Sequence, residues 1–245
     1  MPDELRGRVA VVTGASRGIG RAAALALGEA GVHVVAVART VGGLEELDDA
    51  IRAKGGAATL VPLDLKDATA IDRLGGALYE RWGKLDMLLG NAGILGAISP
   101  VPHIEPKVFD DVLAVNLTAN WRLIRSFDPL LRQSDAGRAL FVTSGDIRLP
   151  IPYWGAQAAS KAALETLVKT YAGEMRQTKV RANLLNPGPI RTRLRAQAMP
   201  GEDPMTVPPP EAVVPDIVRM LSPDYGGNGA LFDFPSGKTM LLAAA

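Results

Sequence analysis

Hydrophobic and polar positions follow two rhythms along this chain. Short β-branched runs alternate with longer stretches whose apolar residues recur three or four apart. The first run, Arg8 to Thr13, leads into Gly14-Ala-Ser-Arg-Gly18-Ile-Gly20 and then into the Ala/Leu-rich segment Arg21 to Ala30. That order predicts a strand, a tight glycine loop and a helix. Val32 to Val37 reads as a second strand ending at Ala38-Arg39-Thr40. Gly42 to Lys54 follows as a helix with Leu44, Leu47 and Ile51 on one face. Ala57 to Leu63 is a third strand, closed by Asp64-Leu65, and Ile71, Leu74 and Leu78 mark the next helix. Leu85 to Leu89 forms a fourth strand ending in Gly90-Asn91-Ala92-Gly93. A long helix is expected from about Pro106 to Leu131, a fifth strand at Ala139 to Thr143 and a further long helix at Gly155 to Arg176. Val180 to Leu185 is the sixth strand, ending at Asn186-Pro187-Gly188, and Gly229 to Phe234 reads as a last edge strand.

Repeated strand–helix alternation predicts one doubly wound, mainly parallel sheet of about seven strands with helices on both faces. No linker or shift of composition divides the 245 residues, which are read as a single domain. The stretch from Ile190 to Pro215 differs, with six prolines, two methionines and little periodicity. It reads either as a plain surface loop or as a mobile substrate lid, because it follows a strand's carboxyl end, where open α/β sheets bind ligands.

Composition narrows the function classes. A hydrophobic share of 47% with 22% charged residues suits a soluble protein with a sizeable core. The net charge of +1 offers no footprint for nucleic acid or an anionic membrane. There is no cysteine, which excludes disulfides, thiolate catalysis and cysteine-bound zinc; no metal is expected. Asp3 and Glu4 precede only a very short apolar run, and no apolar stretch reaches the length of a membrane span. A cytoplasmic location is the expectation.

The glycine loop is where chemistry enters. A backbone that turns sharply and approaches a pyrophosphate closely has no room for Cβ atoms, and the helix behind it offers N–H groups to phosphates. The alternative is a turn that only lets helix and sheet pack closely. In a dinucleotide fold an acidic residue at the end of the second strand receives the adenosine ribose of NAD. Here Ala38-Arg39-Thr40 stands there, and the next acid is Glu45. Arg39 and Arg17 instead suit a ribose 2′-phosphate, which guanidinium binds bidentately, so NADP(H) is expected over NAD(H). Taken singly, either arginine is an ordinary solvated charge. Asn116 shares a helical stripe with Phe109, Val112 and Ile124 and reads as a buried structural bridge or part of a polar relay. Ser144 follows a strand end, a ligand position and also ordinary turn chemistry. Lys161 lies in the alanine-rich turn Ala158 to Ala163, where a solvated lysine is the usual occupant.

Thr13-Gly-x-x-x-Gly-Ile-Gly20, Asp64-Leu65, Asn91-Ala-Gly93, Asn116, Ser144, Lys161 and Pro187-Gly188-x-x-x-Thr192 occur in an order and spacing that resembles the short-chain dehydrogenases/reductases over nearly the whole chain. The resemblance implies a Rossmann fold and hydride transfer between a nicotinamide and a small-molecule carbonyl or alcohol. It implies a cofactor site drawn from Gly14, Ser16, Arg17, Gly18, Ile19, Gly20, Arg39, Asp64, Leu65, Asn91, Ala92, Gly93, Lys161, Pro187, Gly188 and Thr192. Within it, Asp64 would meet the adenine and Thr192 the carboxamide. Ser144 would polarise the substrate oxygen, Lys161 would hold the ribose, and Asn116 would support a water that relays protons to the lysine. Homodimers or homotetramers packed through the two long helices are the implied assembly.

One position departs from the family pattern. Its catalytic tyrosine belongs four residues before Lys161 and thirteen after Ser144, where this chain has Gln157. An amide donates hydrogen bonds but yields no proton near neutral pH, and a general acid is typically worth ~10²–10⁴-fold in rate. Tyr153 and Asp146 are the alternative acids. Pro152 and Gly155 place Tyr153 in a loop, where it reads more simply as a pocket wall stacked with Trp154. Two functions lead: an oxidoreductase with an altered general acid, and an NADP(H)-holding sensor or scaffold; an isomerase, epimerase or dehydratase on the same scaffold is weaker, because those chemistries also tend to need the missing tyrosine. Arg148, Arg193 and Arg195 suggest an anionic or polar-headed substrate.

Overall fold

The first strand, β1 (Val9–Thr13), is buried at all five positions, as a parallel strand covered on both faces must be. The computed structural model describes residues 2–147 and 151–241. A single turn, α1 (Pro2–Leu5), precedes β1, and the chain then alternates through α2 (Gly18–Glu29), β2 (His33–Ala38), α3 (Val41–Ala53), β3 (Ala57–Pro62), α4 (Ala68–Trp82) and β4 (Met87–Gly90). It continues through α5 (Pro106–Leu113), α6 (Ala119–Gln133), β5 (Arg138–Val142), α7 (Gly155–Glu174), β6 (Arg181–Asn186), α8 (Arg193–Ala198), α9 (Val214–Leu221), β7 (Ala230–Asp233) and β8 (Lys238–Leu241). The strand order is β3-β2-β1-β4-β5-β6-β7-β8. All neighbours are parallel except β7 and β8.

Alternation along the strands divides the core in two. Val9, Val11, Val35, Leu88 and Phe141 face α4, α6 and α7, whose Ile71, Leu78, Phe127, Leu164 and Val168 complete that layer. Ala10, Val12, Val34, Leu89 and Leu140 face α2, α3 and α9 through Leu27, Leu44, Ile51 and Ile217. Helices therefore flank both faces of one α/β domain.

Three expectations are corrected. The sheet has eight strands, not about seven, and Gly229 to Phe234 is not its edge: β8 turns back after Phe234–Ser236 and pairs antiparallel with β7. Lys238–Leu241 is too exposed to carry the alternation that would mark it in sequence. The helix expected from Pro106 to Leu131 is interrupted by one π turn, Ala114–Thr118, centred on Asn116. The stretch after Ile190 is not irregular throughout, since it contains α8 and short helical turns at Pro204–Thr206 and Pro210–Val213. Its prolines fragment the pattern into pieces too short to show a period.

Strand order reverses between β1 and β4, the crevice at which ligands lie in such sheets. The two carboxyl ends are tied there by one hydroxyl. Thr13 Oγ1 accepts from the backbone N–H groups of Asn91 (3.0 Å) and Ala92 (3.1 Å) and donates to the Leu89 carbonyl. Asn91 Nδ2 returns a bond to the Thr13 carbonyl at 2.9 Å. Thr13→Val keeps the shape but deprives the half-buried Ala92 N–H of its acceptor and leaves the Asn91 N–H only the Leu89 carbonyl, so a loss of about 1–3 kcal/mol in urea unfolding is expected. An unchanged midpoint would contradict the tie's structural weight.

Candidate active site

A cleft of about 590 Å³ opens along the carboxyl ends of β1 to β6. Every residue singled out from the sequence as catalytic or cofactor-binding lines it except Gly20 and Asn116, which back it. The volume is within the range of small-molecule and cofactor pockets.

The glycine loop is shaped by what stands against it. Gly14 has φ +67°, and a Cβ there would lie 2.8 Å from Asn91 Nδ2. A Cβ on Gly20 would run into the Gly14 carbonyl oxygen and come within 2.5 Å of the same amide. The first turn of α2 has no side-chain cap, which leaves its N–H groups for a ligand. Arg17, at the N-cap of α2, and Arg39, after β2, are both exposed and border the same cleft. Asp64 is exposed there too, accepting the Lys66 N–H in a local turn. Thr192 caps α8 by accepting from Arg195 N, and its methyl lies 3.3 Å from where a Gly18 Cβ would be.

Lys161 and Gln157 form one wall, on successive turns of α7. The Lys161 ammonium donates to the Val142 carbonyl at 2.7 Å and is only 6% exposed. Burial alone pulls its pKa down to about 8. Gln157 is 7% exposed, and its Oε1 has no hydrogen-bond partner. Ser144 stands on the adjoining wall after β5, and the hydroxyl of Thr143 beside it donates to buried Glu165 at 2.9 Å. Asn116 uses its side chain as a bridge: Oδ1 accepts from Ile94 N at 2.9 Å, and Nδ2 donates to the Ile94 carbonyl and Ser160 Oγ, both at 3.0 Å. Its own carbonyl, inside the π turn, accepts from Asn120 Nδ2 at 2.8 Å. Asn116 Oδ1 and Lys161 Nζ flank Gly93, at 3.3 and 3.6 Å from its would-be Cβ.

Tyr153 does not form the pocket wall. It is 55% exposed with φ +76°, its carbonyl accepts from Ser99 N, and it is absent from the cleft lining. That turn presents Trp154 inward instead, packed with Leu95 and Ala198 and with Leu194 and Met199 beside them. The sequence puts Trp154 in a pocket wall but does not give its partners Leu95 and Ala198, for which the Leu194/Ala198 spacing of four is the signal. Arg148 and the side chain of Asp146 lie outside the described residues. Arg193 borders the cleft, while Arg195 forms a fork with Glu202, two bonds of 2.7 Å that hold the Glu202 carboxyl below its ordinary range. Among the described residues, no helix is long and apolar enough to cross a membrane.

Residues 8–203 match the short chain dehydrogenase family, and the chain belongs to it. It is 35% identical to the uncharacterized oxidoreductase YciK of Escherichia coli over 96% of this chain and 95% of that protein. A short chain dehydrogenase structure from Pseudomonas syringae superimposes with a TM-score of 0.92 at 38% identity, covering 96% of this chain and 97% of that one. Another, from Shigella flexneri and complexed with NADP, gives 0.91 at 34% identity, covering 96% and 100%.

A lysine whose pKa is lowered by folding makes stability depend on pH. Between about pH 8 and 10.5 the unfolded chain holds the Lys161 proton and the folded one does not. Wild type should therefore gain up to about 3 kcal/mol over Lys161→Met as pH rises through this window. Parallel stability curves for the two proteins would contradict the burial of a bare ammonium.

Proposed function

We propose that this protein is an oxidoreductase moving hydride between NADP(H) and a carbonyl or secondary alcohol, with an altered general acid. The observation that carries the reading is the meeting, in one cleft, of the uncapped α2 start behind its glycine loop with Lys161, a buried ammonium spending one donor on the protein. The nicotinamide supplies or receives the hydride when bound. The α2 N–H groups hold the pyrophosphate, and Arg17 and Arg39 bracket the ribose 2′-phosphate. Lys161 holds the nicotinamide ribose with one of its two remaining donors. Thr192 meets the carboxamide, Asp64 the adenine side, and Ser144 polarises the substrate oxygen. Asn116 fixes the backbone at Ile94 and so the floor of the site. The apolar face of Trp154, Leu194 and Ala198, backed by Leu95, takes the body of the substrate, and the 190–215 segment closes over it as a substrate loop. Arg193 favours a polar or anionic head. The working unit is a homodimer or homotetramer.

Gln157 stands at the position of the family's catalytic tyrosine. An amide with no titratable proton supports a second reading, a protein that holds NADP(H) and turns over little or not at all.

Two measurements test these readings. NADPH oxidation by wild type and Gln157→Tyr, side by side on ketones, diketones and quinones, should show turnover by both. Turnover by the tyrosine variant alone would move the protein to the second reading. For cofactor choice, Arg39→Ala and Arg17→Ala should each weaken NADPH binding on the order of ten- to a hundredfold and leave NADH nearly unmoved. Equal wild-type affinity for the two cofactors would end the NADP(H) preference.

A further inference from the structure

Two polar groups on one face of α7, both on residues that line the cleft, have unspent hydrogen-bonding capacity. Gln157 Oε1 is a buried acceptor without a donor. Lys161, one turn on, carries three N–H donors and spends one on the Val142 carbonyl. A buried acceptor is seldom left unmatched in a folded protein, and such an exception marks a place where a ligand or water supplies the partner. A single hydroxylic oxygen that accepts from Nζ and donates to Oε1 would satisfy both.

We propose that Lys161 itself is the acid and base of the reaction, acting through one water anchored on Gln157 Oε1. The proposal rests on the oxidoreductase reading. One hydrogen of that water points to Oε1 and the other to the substrate oxygen. In reduction, hydride adds to the carbonyl carbon, the C=O π pair moves onto oxygen, and that oxygen takes the water's proton. Lys161 Nζ replaces the proton on the water and becomes a neutral amine, which solvent reloads. In oxidation the amine draws the alcohol proton back along the same path.

The surroundings suit an amine that changes charge. Gly93 and Asn116 face it from the β4 loop and the π turn, and Thr143 and Ser144 stand at the end of β5; none is charged. On α7, Glu165 is engaged by Thr143 Oγ1 and lies 3.7 Å from Lys169. The loop after β6 brings the exposed Arg193 to the cleft. No charged group among the described residues adds to the effect of burial, which sets the amine's pKa to about 8. Tyr153, the nearest phenol in sequence, is turned out of the cleft.

The test reads Lys161 directly and compares it with the rate. Competitive amine labelling followed by mass spectrometry gives the Lys161 protonation midpoint; kcat/KM for carbonyl reduction and alcohol oxidation is then measured over the same pH range. In wild type the reduction rate should fall above the labelled midpoint and the oxidation rate should rise through it. Gln157→Leu, which deletes the anchor, should lower kcat ten- to a hundredfold with the NADPH Kd unchanged. Gln157→Glu keeps an acceptor and adds charge, so it should raise the labelled midpoint and the pH limb together; it also serves if the leucine variant fails to fold. A rate limb that does not follow the labelled midpoint, or full activity in Gln157→Leu, would overturn the proposal. So would NADPH binding without reduction of any carbonyl tried, an outcome that leaves the cofactor reading standing. Failure to bind NADPH would overturn both.

Discussion

The carboxyl ends of β1 and β4 are held together by the Thr13 hydroxyl, which takes two backbone N–H groups from the start of the Asn91-Ala-Gly93 loop. Asn91 answers by donating to the Thr13 carbonyl, and that places its amide where side chains on Gly14 and Gly20 would otherwise go. Two motifs more than seventy residues apart are thus one physical object. The glycines are required by the asparagine as much as by any ligand, and the asparagine is held by the threonine. With this crossing point fixed, the start of α2 is aimed along the cleft and the β4 loop becomes its floor.

From that floor the constraint passes to the wall that α7 forms. Asn116 grips Ile94 through both its N–H and its carbonyl and reaches Ser160 on α7 with the same amide. Inside the π turn the Asn116 carbonyl accepts from the Asn120 side chain, a local irregularity of the kind that recurs at functional sites. The bond to Ser160 sets α7 at a fixed depth, and α7 in turn presents Gln157 and Lys161 to the cleft. Gln157 thus gives this wall an amide with no titratable proton. The lysine keeps its place and its low-dielectric surroundings, and near neutral pH it carries the most readily exchanged proton that the described residues bring to this wall.

Much of this was legible in the sequence. Valine-rich runs gave β1 and β2, because strands buried on both faces need no alternation. The glycine loop, the Asn91 loop and Lys161 were legible because each requires a particular residue type at a particular strand end or helix turn. Other features left little trace. A π turn alters the winding of a helix without altering its apolar stripe, so Pro106 to Leu131 reads as unbroken. β8 is exposed along most of its length, and an edge strand without a buried face has no pattern to find. The inward turn of Trp154 and outward turn of Tyr153 depend on one positive φ at a residue that seldom adopts it. The Leu95–Trp154–Ala198 wall joins three segments distant in sequence, and only tertiary packing assembles it.

If one cleft places an NADP(H) molecule against Lys161 and Gln157, a crystal structure of the protein grown with NADPH will show it. The expected result is pyrophosphate at the start of α2, the 2′-phosphate between Arg17 and Arg39, and an ordered oxygen within hydrogen-bond distance of both Lys161 Nζ and Gln157 Oε1. A cofactor bound elsewhere, or Gln157 Oε1 paired to a protein donor with no oxygen shared with the lysine, would contradict it.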